Sequence, residues 1–131
     1  MASEMPVWDD PFEAGEDLSS DQYRFVVLSG GKVYRPNAST DKAIGILQNN
    51  PESGEAASVR RLGRSKLVAG ETIAENEYVK LEYVSASDAG KGLDADVALD
   101  LASAYCIEGG DQDELITVDV LPFPLQVNVA S

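Results

Sequence analysis

Short stretches in which apolar and polar side chains alternate run through most of the chain. In Tyr78–Val84 the side chains of Val79, Leu81 and Tyr83 fall on one face, and Lys80 and Glu82 fall on the other. Leu115–Leu121 repeats this pattern. An alternation with period two indicates a β-strand that buries one face. The clearest patterns in the sequence therefore predict strands.

Turn residues separate these stretches from other short apolar runs. Ser29-Gly30-Gly31 predicts a tight turn and hence a hairpin between the runs on either side of it. Gly63 also lies between two such runs, where it predicts a bulge or a sharp bend. The further predicted strands are Tyr23–Leu28, Lys32–Tyr34, Ala43–Leu47, Ala56–Leu62, Ser65–Val68, Ala104–Ile107 and a last stretch with Leu125, Val127 and Val129.

One segment, Leu93–Leu101, fits both regular periods. Val97, Leu99 and Leu101 follow period two, whereas Leu93, Val97 and Leu101 are spaced as on one face of a helix. Its alanines and aspartates favour a short helix or turn. With about seven to nine short strands and no long amphipathic helix, the sequence predicts a mainly β fold, a small antiparallel β-barrel or sandwich.

The first 21 residues differ from the rest of the chain. They hold seven acidic residues and no basic residue, and they show neither helical nor strand periodicity. We therefore predict an acidic N-terminal arm over residues 1–21, disordered until it docks, and a β-rich domain over residues 22–131. The arm also carries Val7, Trp8 and Phe12, which are costly to leave in water. These side chains either dock on a partner or fold back onto their own domain.

Composition excludes much enzyme chemistry. The chain has no histidine and one cysteine, Cys106, so it has no Ser-His-Asp or Cys-His site, no histidine-ligated metal and no intrachain disulfide. No nucleophile motif is present either, and we expect neither an enzyme nor a cofactor. The net charge of −13 disfavours nucleic acid. The apolar runs are too short to span a membrane, and no secretory signal is visible at the start.

Four of the ten basic residues lie close together in the sequence. Arg60, Arg61, Arg64 and Lys66 lie within seven residues. This basic cluster either balances nearby acids on a solvated strand face or contacts an acidic partner. Nucleic acid is the least favoured interpretation, because no aromatic residues are interleaved with these bases.

Acidic residues near the C-terminal half permit one further interpretation. The acids could form a calcium site, because calcium takes six to eight oxygen ligands. The spacing of an EF-hand loop is absent, however. The residues concerned are Asp94, Asp96, Asp100, Asp111, Asp113 and Glu114. In a chain this acidic, solvated loops are the more ordinary explanation, and we predict no metal site.

Between about Asp41 and Leu121 a series of segments follows in a recognisable order: Ala43–Pro51, Gly54–Val59, Leu62–Gly70, Glu71–Tyr83, Ala104–Ile107, Gly109-Gly110 and Glu114–Val118. This order resembles the small head-decoration, or capsid-cement, proteins of bacteriophages, such as that of lambda. The departures from the family are the long acidic arm and a tail from Pro122 to Ser131.

This resemblance implies a structural virion protein with a β-tulip-like fold. Such a protein binds the outside of a phage capsid, as a homotrimer, and cements neighbouring major capsid proteins. It is found on the outer surface of the virion, and in the host cytoplasm during assembly. It needs neither nucleic acid nor a membrane as a partner. The alternative is a virion-surface binding module for a receptor or a carbohydrate, or a β-sandwich adaptor.

Aromatic side chains often dominate the energy of protein interfaces. We therefore expect Val7, Trp8 and Phe12 of the arm to contact the capsid. Arg60, Arg61 and Arg64 are the second candidates for this contact.

Overall fold

The computed structural model describes residues 4–38, 40–95 and 101–126, and these ranges contain nine β-strands and no helix. The mainly β class is therefore confirmed. Within these ranges no helix has the length and apolar character needed to cross a membrane. The strands are β1 (Met5–Ala14), β2 (Phe25–Ser29), β3 (Lys32–Tyr34), β4 (Ala43–Leu47), β5 (Ala56–Val68), β6 (Tyr78–Leu81), β7 (Gly92–Asp94), β8 (Leu101–Glu108) and β9 (Leu115–Gln126).

The predicted hairpin is present as β2 and β3. Ser29 lies opposite Lys32, so the connection has two residues, Gly30 and Gly31. Their φ angles are +58° and +82°. A two-residue hairpin of type I′ needs positive φ at both central positions, which glycine adopts without a steric penalty.

Five strands form a closed cycle of pairings. In the order β1-β3-β2-β4-β5 each strand pairs with the next, and β1 pairs with β5 as well. The β1–β3 pair is parallel, whereas the other pairs are antiparallel. We call this cycle the five-strand ring. Its core consists of Ala14, Leu18, Val26, Val33, Leu47, Ala57 and Val59, with Phe12 and Ile44 packed against it.

The other four strands continue the sheet from β5 in the order β9-β8-β6-β7. A bridge between Ala69, just after β5, and Gly92 in β7 brings the far edge back to β5. A second and larger core fills this part, with Phe25, Ile46, Leu67, Ile73 and residues of β6, β8 and β9. Alternate residues of β2 and β4 contribute to the two cores, which explains why these strands are apolar on both faces.

Two sequence predictions differ from the structure in their details, and a third lies partly outside the described residues. The described part of Leu93–Leu101 contains no helix. Leu93 and Asp94 belong to β7, and Leu101 is the first residue of β8. Residues 96–100 lie outside the described ranges. The two strands predicted on either side of Gly63 form one strand, β5. Of the last predicted stretch, Leu125 lies in β9, while Val127 and Val129 lie outside the described residues.

In the structure the predicted acidic arm packs against the β-rich domain of the same chain. Met5–Ala14 forms β1, which is paired along most of its length with β5. Beyond β1, Leu18 is buried in the ring core, and Asp21 is buried and bonded twice by the Arg35 guanidinium. The structure thus describes the second of the two alternatives, folding back, since β1 belongs to the same sheet as β2 to β9. Pro6 and Pro11 both lie within β1, and Pro6 adjoins a break in the pairing with β5.

Candidate interaction surface

The pairing of β1 with β5 contains two adjacent bulges. Pro6 lies opposite Gly63 and Trp8 lies opposite Leu62, so Val7 is an extra residue on β1. An extra residue in one strand interrupts the ladder and turns its side chain away from the regular face. Val7 is accordingly 69% exposed.

The second bulge compensates the first. After the Trp8–Leu62 pair, Asp9 lies opposite Arg60, so Arg61 is the extra residue on β5. Because one bulge lies on each strand, the original register resumes beyond them. We call Val7, Trp8 and Arg61, where the two strands bulge, the double bulge.

An aromatic ring and a guanidinium group stack at the double bulge. The guanidinium carbon of Arg61 lies 4.1 Å from the centroid of the Trp8 ring, within the range of a cation–π contact. Arg61 Nη1 also donates to Asp10 Oδ2 at 3.3 Å. Trp8 nevertheless stays 42% exposed, and Met5 nearby is 63% exposed. The double bulge therefore presents an apolar surface whose aromatic ring is held in one orientation.

An ion pair between a buried arginine and acids of the arm fastens β1 beside this surface. Arg60 is 5% exposed, and its Nε and Nη2 donate to the two carboxylate oxygens of Asp9 at 2.7 and 2.9 Å. Arg60 Nη1 donates to Glu4 at 3.0 Å, and Lys66 Nζ lies 3.6 Å from the same carboxylate. The hydrogen bond to Asp9 raises the pKa of Arg60 above its ordinary value, although burial opposes this shift. Arg60 therefore stays charged and holds the acidic strand in place.

The structure brings together only part of the predicted contact set. Val7, Trp8 and Arg61 meet at the double bulge, but Phe12 packs against the ring core. Arg60 is used within the chain, and Arg64 lies 3.8 Å from Asp119 of β9. In the structure the basic cluster balances acids of the same chain, which is the first of the two interpretations that the sequence allowed.

Some residues of this surface were missing from the sequence prediction. Met5 adds exposed apolar area, Asp10 fixes Arg61, and Gly63 lets β1 approach closely. The charge pattern held a usable signal, because an acidic strand and a basic strand of matching length attract each other. Gly63 predicts a bulge or bend in this part of β5, but the extra residue on β1 has no signal of its own, since register depends on both strands at once.

Two kinds of reactive site, a metal centre and a nucleophilic thiol, can be examined among the described residues. Among them, no group of three histidine, cysteine or acidic side chains is arranged to hold a metal ion; Asp96 and Asp100 of the acidic set lie outside the description. Cys106 is fully buried, and burial raises the pKa of its thiol to about 11. A thiol with so high a pKa is a poor nucleophile at neutral pH.

Comparisons with known proteins give one informative result. No protein-family model matches the chain, and no curated protein sequence matches it either. Among solved structures, it is similar to the head fiber gp8.5 N base of bacteriophage phi29, with a TM-score of 0.66 and 16% sequence identity. The match covers 92% of this chain and 98% of that chain. A likeness at this identity shows that the two chains share a fold.

Proposed function

We propose that this chain is a structural protein of a bacteriophage head, and that it binds the outside of the capsid and cements neighbouring major capsid proteins. The observation that carries the proposal is the shared fold with a phage head fiber base, which extends over nearly the whole of both chains. A fold by itself does not fix a function. The proposal therefore also depends on the surface that the chain presents.

The double bulge supplies a surface suited to such a contact. It combines an exposed tryptophan, an exposed valine and an arginine that is already oriented by Trp8 and Asp10. Trp and Arg are the residue types most enriched among energetically important interface residues. Because Arg61 is held in place before binding, little side-chain entropy is lost on contact.

The expected binding mode is many modest contacts repeated by capsid symmetry. A protein that sits at symmetric positions gains from multivalency, so each single contact can be weak. We propose that the chain acts as a homotrimer on the shell, with the major capsid protein as its partner and without enzymatic activity, nucleic acid or membrane binding. On this proposal the protein is found in the host cytoplasm during assembly and on the outer surface of the finished virion.

Co-sedimentation with phage heads tests this proposal. The heads come from the phage that encodes the chain, in the unexpanded form and in the expanded, mature form. We expect the protein to pellet with mature heads, to saturate at a fixed number of copies per head, and to raise the melting temperature of the heads. Failure to pellet with either form, or pelleting without saturation, would contradict the proposal.

A further inference from the structure

A groove beside the β2–β3 hairpin has no part in the proposed capsid contact. It measures about 740 Å³ and is lined by the hairpin, by residues within 35–38 and 40–42, and by the loop that follows β6. This size is within the range of small-molecule sites, roughly 300–1,000 Å³. None of its lining residues belongs to β1 or β5. The groove is therefore separate from the double bulge.

One wall of the groove is held rigidly. The Tyr34 ring packs against the backbone at Gly15, where an added Cβ would overlap the ring. Next to it, Arg35 donates to both carboxylate oxygens of Asp21 and to the backbone oxygen of Asp17. This wall keeps its shape without a ligand, as a preorganised site requires.

The groove also carries polar side chains that have no partner within the described residues. Tyr83 offers a hydroxyl group and a ring face, Tyr34 a hydroxyl, Asn37 an amide, and Thr40 a hydroxyl. The lining also holds two acids and two bases. Glu16 pairs with Arg35, and Asp41 accepts a hydrogen bond from the backbone amide of Asn37, whereas Lys42 has no acidic partner in the described part of the chain. Hydroxyl and amide groups beside aromatic rings match the alternating polar and apolar faces of a sugar.

We propose that this groove binds a short oligosaccharide that carries a carboxylate group. The sugar ring stacks on Tyr83, Asn37 and Thr40 hydrogen-bond its hydroxyl groups, and Lys42 pairs with the carboxylate. A densely charged polyanion is disfavoured, because the net charge of −13 repels it at long range. The ligand class is therefore a sugar with few charges rather than a nucleic acid or a polyphosphate.

A printed array of bacterial oligosaccharides, both neutral and uronic-acid-containing, tests whether the full chain binds this class. Cellobiouronic acid and its neutral counterpart cellobiose then serve as matched probes in an NMR titration of the ¹⁵N-labelled protein. We expect uronic-acid glycans to bind on the array. We also expect cellobiouronic acid to shift the backbone amides of Asn37, Lys42 and Tyr83, and to bind about tenfold more tightly than cellobiose.

Tyr83→Ala and Lys42→Ala should each weaken this binding about tenfold, whereas Tyr78→Ala should leave it unchanged. Tyr78 is the control because it is an exposed tyrosine of the neighbouring strand, 40% exposed, that does not line the groove. An unchanged amide spectrum elsewhere verifies that each variant is folded. The proposal is overturned if no uronic-acid glycan binds, if the shifted amides lie outside the groove, or if cellobiose binds equally well. All three variants should still pellet with mature heads, because the groove contains no residue of β1 or β5. A failure of the sugar-binding proposal would therefore leave the capsid proposal standing, and a failure of the capsid proposal would leave sugar binding standing.

Discussion

Replacing Val7 and Trp8 together by alanine is expected to lower the affinity for mature heads at least about thirtyfold. A central tryptophan in an interface is typically worth about 2 kcal/mol or more, and about 1.4 kcal/mol corresponds to a factor of ten. The exposed valine adds to this loss. Sedimentation of the variant with purified heads over a range of concentrations measures the change.

Two other exposed side chains provide the control for this experiment. Val84 is 75% exposed and Tyr78 is 40% exposed, which matches the exposure of Val7 and Trp8, but neither residue lies on β1. The doubly substituted control Tyr78→Ala, Val84→Ala should bind heads as the unmodified protein does. Equal binding by both double variants would show that the double bulge is not the contact.

A second large effect is expected from Gly63→Ala, which should detach β1 from β5. Gly63 has a φ of +115°, and an added Cβ would lie 2.6 Å from the carbonyl oxygen of Met5 and 2.7 Å from the amide nitrogen of Val7. The unfavourable φ alone costs about 1–3 kcal/mol, and the overlap with β1 adds to it. We expect the free energy of unfolding in urea to fall by about 2–4 kcal/mol, and the amides of β1 to lose protection from hydrogen exchange.

Gly54→Ala isolates the contribution of the overlap. Gly54 has a similar positive φ of +85°, but an added Cβ there meets nothing within 4 Å. This variant should therefore show only the backbone penalty, with β1 fully protected. If Gly63→Ala cost no more than Gly54→Ala and β1 stayed protected, the described packing of β1 against Gly63 would be wrong.

The strands with local signals were predictable from the sequence. The β2–β3 hairpin followed from two glycines in its turn, and β6 from its alternation. By contrast, the sequence predicts a disordered arm where the structure has β1, because this segment is rich in acids and shows no strand periodicity. Its order comes from pairing with β5 and from ion pairs such as Asp9–Arg60, which join residues about fifty positions apart along the chain.

The candidate surface was predictable in its residue types but not in its geometry. Trp8 and Arg61 were singled out separately, one as an exposed aromatic residue and one as part of the basic cluster. Their contact depends on compensating bulges in two strands, and no pattern within either strand encodes both. Phe12 was grouped with Trp8 by type, yet its position on β1 directs it to the ring core.

The proposed capsid contact lies on the face where β1 and β5 pair. An electron cryomicroscopy reconstruction of mature heads incubated with the full chain shows which face of the chain meets the shell. We expect ordered density on the outer shell, with Val7 and Trp8 facing the major capsid protein. Heads without added density, or density in which β1 points away from the shell, would contradict the proposed contact.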